Sequence, residues 1–172
     1  MLNLMMERRS IRKYKDKKID KELLDRILQG ALISPSGKNI RPWELIVVND
    51  KEQLKKLGET RGTSSAHIAN APLAIVVAAD PKKADTYIED CSIIAVVIQL
   101  LAAAEGLGSC WIHVRDRLTP WNERVEDYIK GAFDIPADYV VGCMVAMGYP
   151  DETKEPHSLD NLPYDKVHYG KF

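Results

Sequence analysis

The heptapeptide LAIVVAA, Leu73–Ala79, has no polar side chain, which is typical of a strand with both faces buried. A strand of this kind must be covered by a layer of structure on each side. Three further stretches have strand composition: WELIVV (Trp43–Val48), SCWIHV (Ser109–Val114) and YVVGCMVAM (Tyr139–Met147). The sequence thus predicts four strands that share a core with the helices between them.

The helices are predicted from apolar residues at helical spacing and from capping residues. After Asp20, which can cap a helix N-terminus, leucine, isoleucine and alanine recur at that spacing until SPSG at 34–37 ends the pattern. Proline is favoured at the first position of a helix, so Thr119-Pro120 predicts a helix that runs to about Phe133. Two further helices are predicted at 50–58 and at about 85–105.

The predicted helix at 85–105 is unusual because its second half, Ile93–Ala104, is apolar around the whole circumference. One sheet face cannot cover such a helix, so it needs neighbours on every side. Gln99 interrupts the apolar run, which ends at Glu105, short of the roughly 18–20 residues that a membrane span requires. We therefore expect a buried helix without a membrane contact, and a homodimer that shares its core would supply the missing neighbours.

Length and charge restrict the class of protein. The 172 residues suit a single domain, 1–172, with a polar C-terminal tail from about residue 150. With 24 basic and 25 acidic side chains the net charge is −1, whereas nucleic-acid-binding domains usually carry net positive charge. A dedicated nucleic-acid binder is therefore not expected.

The three cysteines predict neither a disulfide framework nor a metal site. Cys91, Cys110 and Cys143 are odd in number, far apart and each surrounded by apolar residues. The first residues, MLNLMMERRSIRKY, place their charges after the short apolar run, the reverse of the order in a secretory signal peptide. These features favour a cytoplasmic protein.

The basic segment ERRSIRKYKDKK, Glu7–Lys18, concentrates positive charge in a chain that is nearly neutral overall. If this segment is extended, Arg8, Ser10 and Arg12 project from one side, because side chains alternate along a strand. Guanidinium groups bind phosphate through paired charge-assisted hydrogen bonds, so the spacing predicts a phosphate site. A solvated basic arm is the alternative, and the segment alone leaves both interpretations open.

The loop SPSGKNIRPWELIVV, Ser34–Val48, is a second candidate. Two prolines and a glycine stiffen it around Asn39. The amide of Asn39 offers both donors and an acceptor, which suits the alternating carbonyl and N–H edge of a pyrimidine-like ring. Asparagine also closes turns without any ligand, so here too two interpretations remain.

The turn GLGSCWIHV, Gly106–Val114, is a third candidate, because glycines let a flat ligand approach the backbone closely. It leads into a strand and lacks the third glycine of the dinucleotide fingerprint, so a Rossmann site is disfavoured. A Walker A loop, an HExxH motif and a GxSxG motif are also missing from the sequence. We expect structural histidines, of which His113 is the first to test, and a core role for Cys110.

Four segments in this order, ERRSIRKY, SPSGKNIRPWELIVV, GLGSCWI and GYP, resemble the nitroreductase family of FMN-dependent oxidoreductases. The resemblance covers nearly the whole chain. It implies an α+β sandwich with a mainly antiparallel central sheet flanked by helices. It also implies an intertwined homodimer with FMN bound at the interface, which would cover the apolar helix.

The resemblance implies that three segments hold FMN. The N-terminal segment would lie at its phosphate, ribityl and pyrimidine side, and the asparagine of the loop would bond the pyrimidine edge. The proline, serine and glycine of the loop would reach the flavin of the partner subunit, and the third strand would lie near flavin N5. The implied FMN-binding residues are Arg8, Arg9, Ser10, Arg12, Pro35, Ser36, Gly37, Asn39, Cys110, Trp111 and Ile112.

The implied chemistry is hydride transfer from NADH or NADPH to flavin N5 and on to a nitroaromatic, quinone or similar small acceptor. The cofactor carries the difficult step, so no catalytic side chain and no metal are implied. Arg12 is the candidate for positive charge beside the N1–O2 end of the reduced ring. Two departures stand out: Arg41 replaces a common glutamine, and only Lys154 and His157 stand in for a basic pair in the tail.

Two other functions remain open at this point. The chain could bind, store or process FMN without reducing anything with NAD(P)H, and steady-state turnover separates that case from a reductase. Alternatively, the basic segment Arg8–Lys18 could contact nucleic acid or another acidic surface, in which case polyanions would be retained at moderate salt.

Overall fold

The computed structural model describes residues 1–172 except for the side chain of Asn161. Helices and strands alternate along this part of the chain, and the four predicted strands are all present. The α-helices are α1 Leu2–Glu7, α2 Lys21–Leu32, α3 Lys51–Glu59, α4 Tyr87–Ala104 and α5 Val125–Ala132. The strands are β1 Trp43–Val48, β2 Leu73–Ala79, β3 Gly108–His113 and β4 Val140–Gly148.

The strands form one antiparallel sheet in the order β1-β2-β4-β3. β2 lies inside the sheet, and all its side chains are buried, as the sequence LAIVVAA predicts. β1 and β3 lie at opposite edges of the sheet. The expected α+β fold with an antiparallel central sheet is therefore confirmed.

Helices cover both faces of the sheet. On one face, α3, α5 and the 3₁₀ segment Ala66–Asn70 bury Leu57 and Ile129 against the strands. On the other face, α2 and α4 bury Ile27 and Ile98. Each face of the sheet thus has its own apolar core, as a sandwich requires.

The N-terminal segment runs along the outer edge of β3. The chain is extended after α1, and Ser10 forms a parallel bridge with Ser109. The backbone N–H of Ile11 donates to the carbonyl of Ser109 at 2.9 Å. Gly108 allows this close approach, since a Cβ there would lie 2.7 Å from Ile11 Cγ2. The segment covers only the start of that edge.

The predicted helix from Thr119 is wrong in its first part, because α5 begins at Val125. Residues 119–124 form a turn in which the Thr119 N–H donates to the Glu123 carbonyl at 2.8 Å. The Glu123 N–H donates to Thr119 Oγ1 at 3.0 Å, and Asn122 has a left-handed φ of 67°. The side chain of Thr119 thus accepts a backbone N–H that would donate to a carbonyl if this segment were helical.

α4 is apolar on all sides of its second half, but the chain leaves one side of it exposed. Ile94 is fully buried, whereas Ile93 is 38% exposed and Val96 is 45% exposed. By length and composition alone the 18 residues of α4 could cross a membrane, because the helix is longer than its apolar run Ile93–Ala104. Core helices of soluble proteins pass the same test, and Asp90 and Gln99 of α4 are buried inside the protein.

The C-terminal tail beyond Pro150 contacts the rest of the chain mainly near its start. The N–H of His157 donates to the carbonyl of Met6 at 2.9 Å. Farther along, Tyr164 is 70% exposed and Tyr169 is 91% exposed. Large aromatic side chains of the tail therefore find little cover within their own chain.

Candidate functional site

Predicted site residues from two segments gather at the start of β3. Arg8, Ser10 and Arg12 all lie close enough to the thiol of Cys110 to influence it. Burial raises the pKa of that thiol, and Arg12, Ser10 and Arg8 oppose the rise by stabilising the thiolate. The alternation predicted from the sequence therefore brings these three side chains to one place beside a buried cysteine.

A cavity of about 330 Å³, here called the N-terminal cavity, lies next to this group. Its lining includes the basic side chains of Arg8, Arg9 and Lys154, together with Gly108 and Ser109 of β3. The carboxylates of Glu7 and Glu152 also line it. Among the described side chains, no carboxylate lies within 4.0 Å of the guanidinium groups of Arg8 and Arg9. Their positive charge is therefore available to an anion, and a phosphate suits this donor set.

Glu152 of the tail fastens the N-terminal segment. Its Oε1 accepts hydrogen bonds from the backbone N–H of Arg12 at 2.6 Å and of Lys13 at 3.2 Å. Its Oε2 lies 2.9 Å from the ammonium of Lys154. These contacts, above all the bond from Arg12, lower the pKa of the Glu152 carboxyl to about 2. Because Glu152 is held by backbone, the tail positions Lys154 at the cavity, whereas His157 contributes only its backbone N–H.

His67, on the 3₁₀ segment Ala66–Asn70, is a candidate site residue that the sequence does not single out. It is only 9% exposed, and neither Nδ1 nor Nε2 has a hydrogen-bond partner among the described residues. Burial lowers the pKa of its imidazole, with a further decrease from Arg12 and an opposing effect of Glu152. A buried polar group without a partner costs about 1–3 kcal/mol, so these nitrogens fit a ligand that bonds them.

The loop between α2 and β1 is held in an unusual backbone conformation. Lys38, Asn39 and Arg41 all have positive φ, at 51°, 58° and 55°. Residues other than glycine rarely adopt this region, and strain of this kind is concentrated at functional sites. Buried Asp90 anchors the loop by accepting the Gly37 N–H at 2.9 Å.

Asn39 and Arg41 are both exposed on this loop and bond to each other. Arg41 Nε donates to Asn39 Oδ1 at 3.0 Å, and the Arg41 N–H donates to Ser36 Oγ at 2.9 Å. The loop leads into β1, at the edge of the sheet opposite β3. Within one chain the structure therefore does not bring Pro35, Ser36, Gly37 and Asn39 to Arg8 and its neighbours.

Trp111 and Ile112 lie on opposite faces of β3, and only Trp111 has its backbone toward the open edge. The carbonyl of Ser109 accepts from Ile11 and so points away from β4. In an antiparallel pair the backbone N–H and C=O of every second residue point to the same side of the strand. The N–H of Trp111 thus faces outward between the Ser10 bridge and the end of the strand. A planar ligand lying along this edge would meet that N–H.

The remaining cysteines are ordinary core residues. Cys91 and Cys143 are buried free thiols, and burial raises the pKa of Cys91 to about 12. Among the described residues, no group of three or more His, Cys, Asp or Glu side chains could hold a metal ion. Cys91 and Cys143 therefore add no polar group to the residues around the open edge of β3.

Comparison with known proteins gives a consistent result. The sequence model of the nitroreductase family matches residues 5–61 and 59–149. The chain is 38% identical to a putative NADH dehydrogenase/NAD(P)H nitroreductase of Archaeoglobus fulgidus, over 99% of this chain and 98% of that relative. It is 37% identical to the protein of the same description from Methanothermobacter thermautotrophicus, over 100% of this chain and 87% of that one.

Solved structures share the fold over the full length. The FMN-dependent nitroreductase from Clostridium difficile R20291 is 47% identical, with a TM-score of 0.97 and complete coverage of both chains. A nitroreductase with bound FMN from Desulfitobacterium hafniense DCB-2 is 26% identical, with a TM-score of 0.76 over 99% of this chain and 97% of that one.

Proposed function

The chain belongs to the nitroreductase family, and from that premise we propose an FMN-dependent oxidoreductase that passes hydride from NADH or NADPH to a small acceptor. Nitroaromatics and quinones are the acceptor classes we propose. The observation that carries the proposal is the open edge of β3, which has free guanidinium groups at its start and the unpartnered imidazole of His67 nearby.

The residues of the N-terminal cavity suit the phosphate of FMN. Arg8 and Arg9 supply two cationic groups without a carboxylate partner, and Lys154 supplies a third that is paired with Glu152. Ser10 adds a hydroxyl on the same side of the extended segment as Arg8. In this proposal Arg12 and the buried nitrogens of His67 face the polar end of the flavin ring. The outward N–H of Trp111, with Cys110 and Ile112 beside it, lines the edge along which the ring lies.

Bound FMN supplies a ring that accepts hydride and donates it again. The side chains have two tasks around it. Arg12 would provide positive charge at the polar end of the ring. Glu152 bonds the backbone N–H of Arg12, and among the described side chains no carboxylate lies within 4.0 Å of its guanidinium. The apolar cores on both faces of the sheet keep the bonding groups of β3 in fixed positions.

We also propose that two copies of the chain form a homodimer. The outer side of α4 is apolar and exposed at Ile93 and Val96, and the aromatic side chains of the tail are exposed as well. A second copy covers both, because a surface of this kind in a stable protein marks an interface. The loop of Pro35, Ser36, Gly37 and Asn39 lies at the opposite sheet edge, so it would reach the flavin of the partner subunit.

Titration of the purified apoprotein with FMN, followed by flavin fluorescence, tests the cofactor. Arg8→Gln and Arg12→Gln should each weaken binding about 10- to 100-fold, since a hydrogen bond to a charged group contributes about 1.5–3 kcal/mol. Lys55→Gln removes an exposed charge on α3 and should leave affinity unchanged. A colourless protein that takes up no added FMN contradicts the proposal.

Turnover distinguishes a reductase from a protein that only holds FMN. The loaded protein should oxidise NADH or NADPH in the steady state when a nitroaromatic or a quinone is present. A yellow protein that shows no such turnover with any acceptor would support FMN binding or storage instead.

A further inference from the structure

The end of β3 carries a second group of arginines that the proposed cofactor does not use. Arg61, which follows α3, donates from Nη1 to the carbonyl of His113 at 3.0 Å. Two and four residues beyond His113, the chain places Arg115 and Arg117 around a turn in which Asp116 has a left-handed φ of 55°. The N–H of Val125 fixes that turn by donating to the Arg117 carbonyl at 3.0 Å.

The three guanidinium groups act on the same imidazole. Burial lowers the pKa of His113, and Arg117, Arg115 and Arg61 each lower it further. Arg61 itself is partly buried, and the pKa of its guanidinium is lowered by burial and by Arg117. The fold therefore gathers positive charge around His113.

This arginine cluster, Arg61, Arg115 and Arg117, is poorly neutralised by the chain. Among the described side chains, no carboxylate lies within 4.0 Å of the guanidinium of Arg61 or Arg117. Arg115 is 3.9 Å from Asp116, and Arg117 donates only to a backbone carbonyl, at 3.3 Å.

Arg124, a few residues beyond the cluster, shows the contrast. It lies 3.1 Å from Glu126 and 3.7 Å from Asp127, so two carboxylates balance one arginine. The same stretch of chain thus pairs Arg124 with carboxylates but supplies none to the guanidinium groups of Arg61 and Arg117. Their charge is available to a ligand.

The position of the cluster indicates which molecule would bring the anion. Ser109 and His113 are four residues apart in β3, about 13 Å at the usual rise per residue. FMN carries one phosphate, and the N-terminal cavity already supplies cations for it. The arginine cluster lies at the other end of the same edge, where the proposed function places the ring and the molecule that reacts with it.

We propose that Arg61, Arg115 and Arg117 form an anion-binding subsite for a carboxylate or phosphate group of the molecule that exchanges hydride with the flavin. This inference rests on the proposed function and narrows its substrate class. The anion has two sources: an acidic acceptor, or a phosphate of the nicotinamide nucleotide.

The test compares Arg61→Gln and Arg117→Gln with the charge-matched control Lys55→Gln. In the loaded enzyme, kcat/KM for 4-nitrobenzoate should fall about tenfold in the first two variants, while that for neutral 4-nitrobenzyl alcohol stays constant. If the anion is a phosphate of the donor, KM for NADH and NADPH rises instead. A rise for NADPH alone identifies the 2′-phosphate.

A binding measurement gives a readout that does not depend on turnover. Titration of the oxidised, loaded enzyme with benzoate, followed by the flavin absorption spectrum, should show affinity about tenfold weaker in Arg117→Gln and unchanged in Lys55→Gln. If FMN binds and neutral acceptors turn over normally, but no anion shows a dependence on the cluster, this inference is overturned and the proposed function stands. If FMN does not bind the native chain, the proposed function itself fails.

Discussion

β2 and α4 are both apolar along almost their whole length, but the chain completes the burial of only one of them. All side chains of β2 lie between the two helical layers. The inner side of α4 packs against the sheet, but no part of the chain covers its outer side, so Ile94 is buried while its neighbour Ile93 is exposed. The apolar composition of an element therefore indicates how much apolar contact it needs, but one chain need not supply all of that contact.

His67 is the polar counterpart of the outer side of α4. Its ring is buried, but its nitrogens have no partner among the described residues. In a single chain the outer side of α4 lacks apolar contacts, and the imidazole of His67 lacks hydrogen bonds. We propose that a second copy of the chain supplies the apolar contacts of α4 and that the cofactor supplies the hydrogen bonds of His67. The following substitutions compare a position that the chain buries fully with positions that it does not.

The largest effect is expected for Ile94→Asp. A charge without a partner in the completed core costs about 4 kcal/mol or more, a large part of the stability of a small domain. We expect little folded protein, judged by far-UV circular dichroism and soluble yield. A variant as stable as the native protein would mean that the inner side of α4 is not core.

Ile93→Asp places the same charge one residue away, on the exposed outer side of α4. The monomer should stay folded, but the dissociation constant of the dimer should rise about 100-fold, because the carboxylate must leave water when the copies associate. Sedimentation velocity over a concentration series measures this. Ile93→Leu keeps the surface apolar and should leave the dimer intact; equal behaviour of the two variants would argue against α4 as the interface.

His67→Leu tests whether the unpartnered imidazole of His67 binds the cofactor. The apoprotein should be as stable as the native one or slightly more stable, since two unsatisfied nitrogens are replaced by apolar surface. FMN affinity should fall about tenfold, measured by fluorescence titration. His168→Leu changes an exposed histidine of the tail and should alter neither quantity. A clear loss of apoprotein stability with unchanged FMN affinity would assign His67 to the core.

Glu152→Gln should have the smallest effect, and that effect depends on pH. The folded protein lowers the pKa of the carboxyl from 4.5 to about 2, so its contribution is complete above pH 4.5 and is lost as pH falls towards 2. We expect the variant to be about 1 kcal/mol less stable at pH 6, with the difference shrinking by pH 3. Urea unfolding at pH 6, 4 and 3 measures this, with the exposed Glu155→Gln as control.

The sequence predicted the parts of this protein that depend on local pattern. Continuous apolar runs identified β2 and α4, and the alternation of Arg8, Ser10 and Arg12 placed them on one side of an extended segment. The start of the helix after Thr119 was wrong, because the side chain of that residue satisfies a turn instead. Asp20 precedes α2 as predicted, but its side chain makes no capping hydrogen bond.

Other site features depend on contacts between distant segments and were beyond sequence reasoning. The side chain of Arg61 bonds the carbonyl of His113, which is 52 positions away in the sequence, so only the tertiary fold brings the two residues together. His67 is buried by the same layer, so its missing partners become visible only in three dimensions. The resemblance named Lys154 as a substitute for the basic pair of the tail, but the contact that brings it to the N-terminal cavity was not predicted. That contact joins Glu152 to the backbone of Arg12, 140 positions away.

The open edge of β3 also bears on how the protein survives in a cell. A strand with free backbone groups is a template on which another chain can add a strand, and proteins normally shield such edges. The N-terminal segment covers the start of this edge, and in the proposed function FMN shields the rest. Chains made in excess of FMN should therefore be the ones that aggregate, so the supply of cofactor would affect the solubility of this protein as well as its activity.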